Sequence, residues 1–205
     1  DERPWFIHPG DELIVGLGRP KCGVLIGKKH QELATESPVT CGGHNKDSIV
    51  FGHADGTISS LDGTTFSKEE SSIESLFCSD SGFSAALESG KIISMGLDFV
   101  ELWAREGEQI TTQASGFDGL HWCGRKNTDS GVVEVRNTEG ELVASTTTTI
   151  PRVSMSREDR IGFGFEDGQV LVWDRSLFSR RLDEKSSSSD GRRSALAAKL
   201  RSLRE

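Results

Sequence analysis

Few residues in this chain have the types and spacing that chemistry requires. Cys41-Gly42-Gly43-His44 sets a thiol two residues from an imidazole, a gap that suits zinc. A second ligand pair is missing, because the next candidate, His53, stands nine residues on in a segment that reads as a strand. His8 occupies a position where comparable segments carry Ser79 and Ser156, which points to a turn role over catalysis. Gly16-Leu17-Gly18 runs into Arg19-Pro20, without the third glycine and the helix that a phosphate loop uses. No Gly-x-Ser-x-Gly elbow is present. Asp55, Glu88, Glu166 and His53 each stand at or just after the end of an apolar segment and would line an opening if those segments converged on an axis. As turn residues they need no such role. These residues therefore predict no catalytic group, no cofactor site and no metal site.

The elements that would position any site are easier to read. Gly23, Gly56, Gly90, Gly131 and Gly168 each precede a short β-branched or apolar run, such as Val24-Leu25-Ile26 and Gln169-Val170-Leu171-Val172-Trp173. Their spacings are 33, 34, 41 and 37 residues. A recurrence of about 40 residues is that of one four-stranded propeller blade. Upstream of each glycine lies an apolar strand rich in small residues: Leu13 to Leu17, Ile49 to His53, Phe83 to Leu87, Leu120 to Gly124 and Ile161 to Phe165. Small side chains suit an inner strand crowded at a central axis. Asp55-Gly56, Asp167-Gly168, Ser89-Gly90 and Ser130-Gly131 read as hairpin tips, since glycine reaches positive φ without a Cβ clash. A further strand precedes each of these, for example Ile73 to Phe77 with its period of two. A more variable fourth follows, read at Phe99 to Trp103, Glu141 to Ala144 and Leu177 to Leu182. The expectation is an all-β propeller of about five four-stranded antiparallel blades.

The fifth unit, from Val153 through Glu166-Asp167-Gly168 to Trp173-Asp174, resembles a WD40 repeat closing on its Trp-Asp pair. The third unit shares the Ser79-Asp80-Ser81-Gly82 turn, and the second ends Ser60-Leu61-Asp62. The segment Asp55 to Asp62 is similar also to the repeat of pyrroloquinoline-quinone-like propellers. Either resemblance covers about residues 3–182 and implies the same architecture. The WD40 resemblance implies a non-catalytic platform that holds protein partners within a multiprotein complex. It also implies seven blades as the usual ring. Five units, with a chain that opens on Asp1 where translation does not start, predict a piece of a longer chain; a ring closed at five is the alternative.

Composition narrows the function classes. The chain has 205 residues, 34% of them hydrophobic, and a formal charge of -8. Residues 175–205 carry nine basic and four acidic side chains, so the tail is +5 and the rest -13. An acidic body disfavours nucleic acid, which needs dense Lys and Arg. No run approaches the ~20 apolar residues of a membrane span. Four scattered cysteines read as buried free thiols of a cytoplasmic protein, with the nucleus as the other intracellular location. The propeller is expected over 1–182, a polar linker over 183–193, and a short basic helix over 194–205. Leu196, Leu200 and Leu203 give that helix one apolar stripe. With Trp5 and Phe99, they are the expected partner contacts, while Trp103, Trp122 and Trp173 read as packing between blades. The competing classes are a propeller enzyme or ligand-binding propeller with a site at the axis, and RNA or an acidic partner bound through the tail.

Overall fold

A computed structural model describes residues 4–8, 13–44, 49–79 and 81–183, apart from the side chains of Trp5 and His8. Five antiparallel sheets succeed one another. Blade one contains β1 (Pro4–His8), β2 (Ile14–Leu17), β3 (Val24–Ile26) and β4 (Lys29–Gln31). Blade two contains β5 (Val39–His44), β6 (Ile49–His53), β7 (Thr57–Ser60) and β8 (Thr65–Lys68). Blade three contains β9 (Ile73–Ser79), β10 (Gly82–Leu87), β11 (Ile92–Gly96) and β12 (Glu101–Arg105). Blade four contains β13 (Gln109–Ser115), β14 (His121–Lys126), β15 (Gly131–Arg136) and β16 (Leu142–Thr148). Blade five has three strands, β17 (Pro151–Arg157), β18 (Arg160–Phe165) and β19 (Val170–Asp174), and then a helix, α1, over 175–183.

The glycine-anchored repeat is thus an antiparallel blade, strand next to strand in chain order. Gly56 and Gly90 adopt φ of +84° and +89° in the turns between second and third strands. A Cβ at Gly90 would also fall 2.1 Å from the Gly107 carbonyl oxygen, so the turn is closed to any other residue. Gly131 departs from expectation. It opens β15, and the turn before it is closed by Asn127 N donating to Ser130 O. Gly131 is small for another reason, because a Cβ there would meet Pro151 Cδ and Thr149 O at 2.4 Å.

The inner position also differs from expectation. Contacts between blades run chiefly through the first strands, in the order β1, β5, β9, β13, β17, so these converge, and the small-residue strand is second. Its small residues have a different cause. The first strand of each following blade rests on them: Val39 on Gly16, Ile73 on Gly52 and Pro151 on Gly124, where an added Cβ would stand 2.5–2.9 Å from the incoming side chain. Four core clusters follow from this stacking. One holds Ile14, Val24, Val39 and Phe51 between blades one and two. Cys41, Ile58, Ile73, Phe83 and Ile93 join blades two and three. Ala86, Trp103, Ile110 and Cys123 join three and four, and Trp122, Val135, Ile161 and Phe163 join four and five. Strands β6, β7 and β10 are buried along almost their whole length, on both faces, for this reason.

The segment expected as the fourth strand of blade five, Leu177 to Leu182, is part of α1. Asp174 is the cause: its carboxylate accepts from Ser176 N (3.1 Å) and Ser176 Oγ (2.7 Å), the geometry of a helix N-cap. The basic helix expected at 194–205, with Leu196, Leu200 and Leu203, and all but the first residue of the linker expected at 183–193, lie outside the described residues.

Candidate functional site

Replacing a strand by α1 leaves a groove between blades four and five. A nine-residue helix is marginal alone, so α1 depends on what it touches. Phe178 is its buried side chain; its ring lies 4.9 Å from that of Trp122 and 5.7 Å from that of Phe117. At the start of the helix Arg175 spans two turns. Its backbone N donates to Asp159 O at 2.8 Å, and its guanidinium pairs with Asp159 and Asp118. The helix is thereby fastened to the β13–β14 loop and the β17–β18 turn.

What remains open is a cavity of about 560 Å³, within the range of ligand pockets. Trp122 and Trp173 form its floor, with ring centroids 5.3 Å apart, and Phe163 stands edge-on to Trp173 at 5.8 Å. Val133, Val135 and Ala144 line one wall, and Leu171, Leu177 and Leu182 the other. Ser145, Thr146, Asp174 and Arg181 also line it. Such a lining takes an apolar group and offers few polar groups to fix its orientation. The Trp-Asp pair of the fifth unit and the Asp174 cap were the signals for it in the sequence. The groove itself needed Trp122, some fifty residues away, brought to the same place.

The residues singled out by type do not gather elsewhere. Cys41 and His44 stand three apart on β5 and so face opposite sides of the sheet, Cys41 buried and His44 exposed. Burial pushes the Cys41 and Cys123 thiols up to about 12 and Cys78 to about 11, so none is a thiolate nucleophile at neutral pH. His53 is fully buried, 2.8 Å from Ser59 Oγ and 3.3 Å from Ser37 O. Beside it, partial burial pushes the Asp55 carboxyl up, but Lys68 and hydrogen bonds from Thr57 and Thr35 outweigh this and hold it well below the usual carboxylate range. Glu166 pairs with Arg152, and Glu88 is an exposed turn residue whose N–H donates to Ser72 O. Each acidic residue thus keeps its own local neighbours. Among the described residues no three His, Cys, Asp or Glu side chains meet as a metal site.

Of the expected partner contacts, Phe99 lies half-buried in the β11–β12 turn at φ +61°, stacked on Phe66 with centroids 3.5 Å apart. Trp5 lies on β1, its side chain outside the described residues. Trp103, Trp122 and Trp173 pack between blades, as their placement in separate strands suggested. No helix among the described residues is long and apolar enough to cross a membrane.

No family model matches this chain, and no curated protein sequence matches it. Solved structures do. The WD40 β-propeller domain of Doa1 superposes with a TM-score of 0.65 at 9% identity, over 86% of this chain and 66% of that one. A chain of the Mitotic Checkpoint Complex gives 0.67 at 14%, over 82% and 59%. BamB from Moraxella catarrhalis gives 0.60 at 14%, over 86% and 64%. The present chain spans about three fifths to two thirds of the length of each. Likeness at such identity is likeness of fold, and the fold of this chain is that of a β-propeller, similar to the WD40 propeller of Doa1 and to BamB.

Proposed function

We propose that the chain is a non-catalytic protein-interaction platform that receives an apolar anchor of a protein partner in the groove between blades four and five. The observation that carries this is the groove itself, an aromatic floor under aliphatic walls, set on strands and a fastened helix. A preformed apolar pocket of this kind holds a large side chain at low ordering cost. WD40-like neighbours, one of them solved within the Mitotic Checkpoint Complex, support an interaction platform as the kind of protein. The basic tail is a second contact for the same partner, attracted by acidic groups.

A display library of random twelve-residue peptides tests the proposal. Selection on the wild-type chain should enrich sequences with one or two large apolar residues at fixed positions. Leu171→Glu and Leu177→Glu, checked for folding by circular dichroism, should bind those peptides at least tenfold more weakly. Enriched peptides that bind both variants as well as the wild type would defeat the proposal.

A further inference from the structure

The joint between blades has a register that repeats along the chain. Each first strand carries a bulge, and the residue before the bulge pairs with the last or next-to-last residue of the second strand: Val39 with His53, Ile73 with Leu87, Ile110 with Arg125 and Pro151 with Phe165. The same residue rests on the small residue of the blade before it. Val39 covers Gly16, Ile73 covers Gly52 and Pro151 covers Gly124, while Ile110 packs with Ala86 in one buried cluster. Two members of the series have no counterpart among the described residues. Pro4 holds the pre-bulge place in blade one, pairing with Leu17, and is exposed. Gly164 holds the receiving place in blade five, and among the described residues a Cβ there would meet only Val153 Cγ2 of its own sheet.

The surface around Gly164 is shaped like the joints already filled. Gly162 and Gly164 form a floor in β18, with Met155 and Val153 opposite them on β17 and Val172 and Val170 opposite them on β19. Those four apolar side chains are 61–68% exposed. The face of blade one that points away from blade two presents Ile7 and, next to β2, Leu13, both more than half exposed. A proline already fills such a joint in this chain, where Pro151 lies over Gly124.

We propose that the open face of blade five receives blade one of a second copy of this chain, with Pro4 seated over Gly164. The contact continues the series of four internal joints in the same register and covers the exposed Val153, Met155, Val170 and Val172 of blade five. It joins two different faces, so it is heterologous, and it generates a ring where rotation closes and a longer array where it does not.

Cysteine trapping decides the matter. Pro4→Cys and Gly164→Cys chains are mixed, oxidised mildly and run without reductant, each alone serving as the background. The expected product is a disulfide of two-chain mass in the mixture, confirmed by mass spectrometry as a 4–164 linkage, with at least tenfold less in either chain alone. In sedimentation equilibrium, Gly164→Glu should weaken self-association of the otherwise unmodified chain at least tenfold. A chain that stays monomeric at about 100 μM, with no linkage above background, overturns the proposal and leaves the face to another occupant, such as the segment 194–205 or a further blade. So does a double variant that links only within one chain, which would mean a ring closed on itself.

Discussion

His121 shows how a single side chain is committed by its neighbours. Gln113 donates through Nε2 to Ser75 O and Oγ, which leaves its Oε1 to accept from Ser84 Oγ and from His121 Nε2 at 3.0 Å. The proton of the imidazole is therefore on Nε2, and Nδ1 is buried with no partner among the described residues. Burial first, then the charges of Arg125 and Arg136, hold its pKa down to about 4, with Glu134 opposing them. An unfolded histidine titrates near 6.5. Between those values the unfolded chain binds the proton and the folded chain does not. The contribution is thus complete above pH 6.5 and is lost as pH falls towards 4, by about 3 kcal/mol in all. Urea titrations from pH 7.5 to 4 should show that slope, and His121→Leu should remove most of it. At Gly52 the constraint is steric, with a Cβ only 2.5 Å from Ile73 Cγ2 and 2.7 Å from Cys41 Sγ. Gly52→Ala should lower unfolding stability by about 1–3 kcal/mol. Gly164→Ala, at concentrations where the chain is monomeric, should cost less than about 0.5 kcal/mol.

Among the elements, α1 is held by few contacts, so they can be removed singly. Phe178→Ala strips the side chain that packs on Trp122 and Phe117 and should cost about 3–5 kcal/mol. It should also change the tryptophan emission, because the Trp122 ring loses a neighbour at 4.9 Å. An unaltered melt and spectrum would mean that α1 does not dock as described. The elements also mark what the sequence could and could not disclose. Strand runs and turn glycines lie close together in sequence, so the blades were legible, down to the Asp-Gly tips. Leu177 to Leu182 read as a strand because the repeat demanded one there, while Asp174 and Ser176 carried the contrary local signal of a helix start. The small residues of the second strands were legible as small but not as a landing place, since Val39, Ile73 and Pro151 reach them from the next blade. The groove was illegible for the same reason, as Trp122 and Trp173 belong to different blades.

At the scale of the whole molecule, stability is laid down seam by seam, and each blade is secured by the one after it. Among the described residues, blade five alone is followed by a helix where the others have a fourth strand, and the groove is a consequence of that one substitution of element. The function proposed for it depends on a partner entering there and not at the axis or along the rim. The direct measurement is photo-crosslinking in the native cell, with a benzophenone side chain placed at Leu177 in the groove or at Glu139 in the exposed β15–β16 turn. A discrete protein adduct is expected from position 177, none of the same mass from 139, and its disappearance when Leu171→Glu is added. Equal adducts from both positions, or an adduct at 177 that survives Leu171→Glu, would contradict the proposed function.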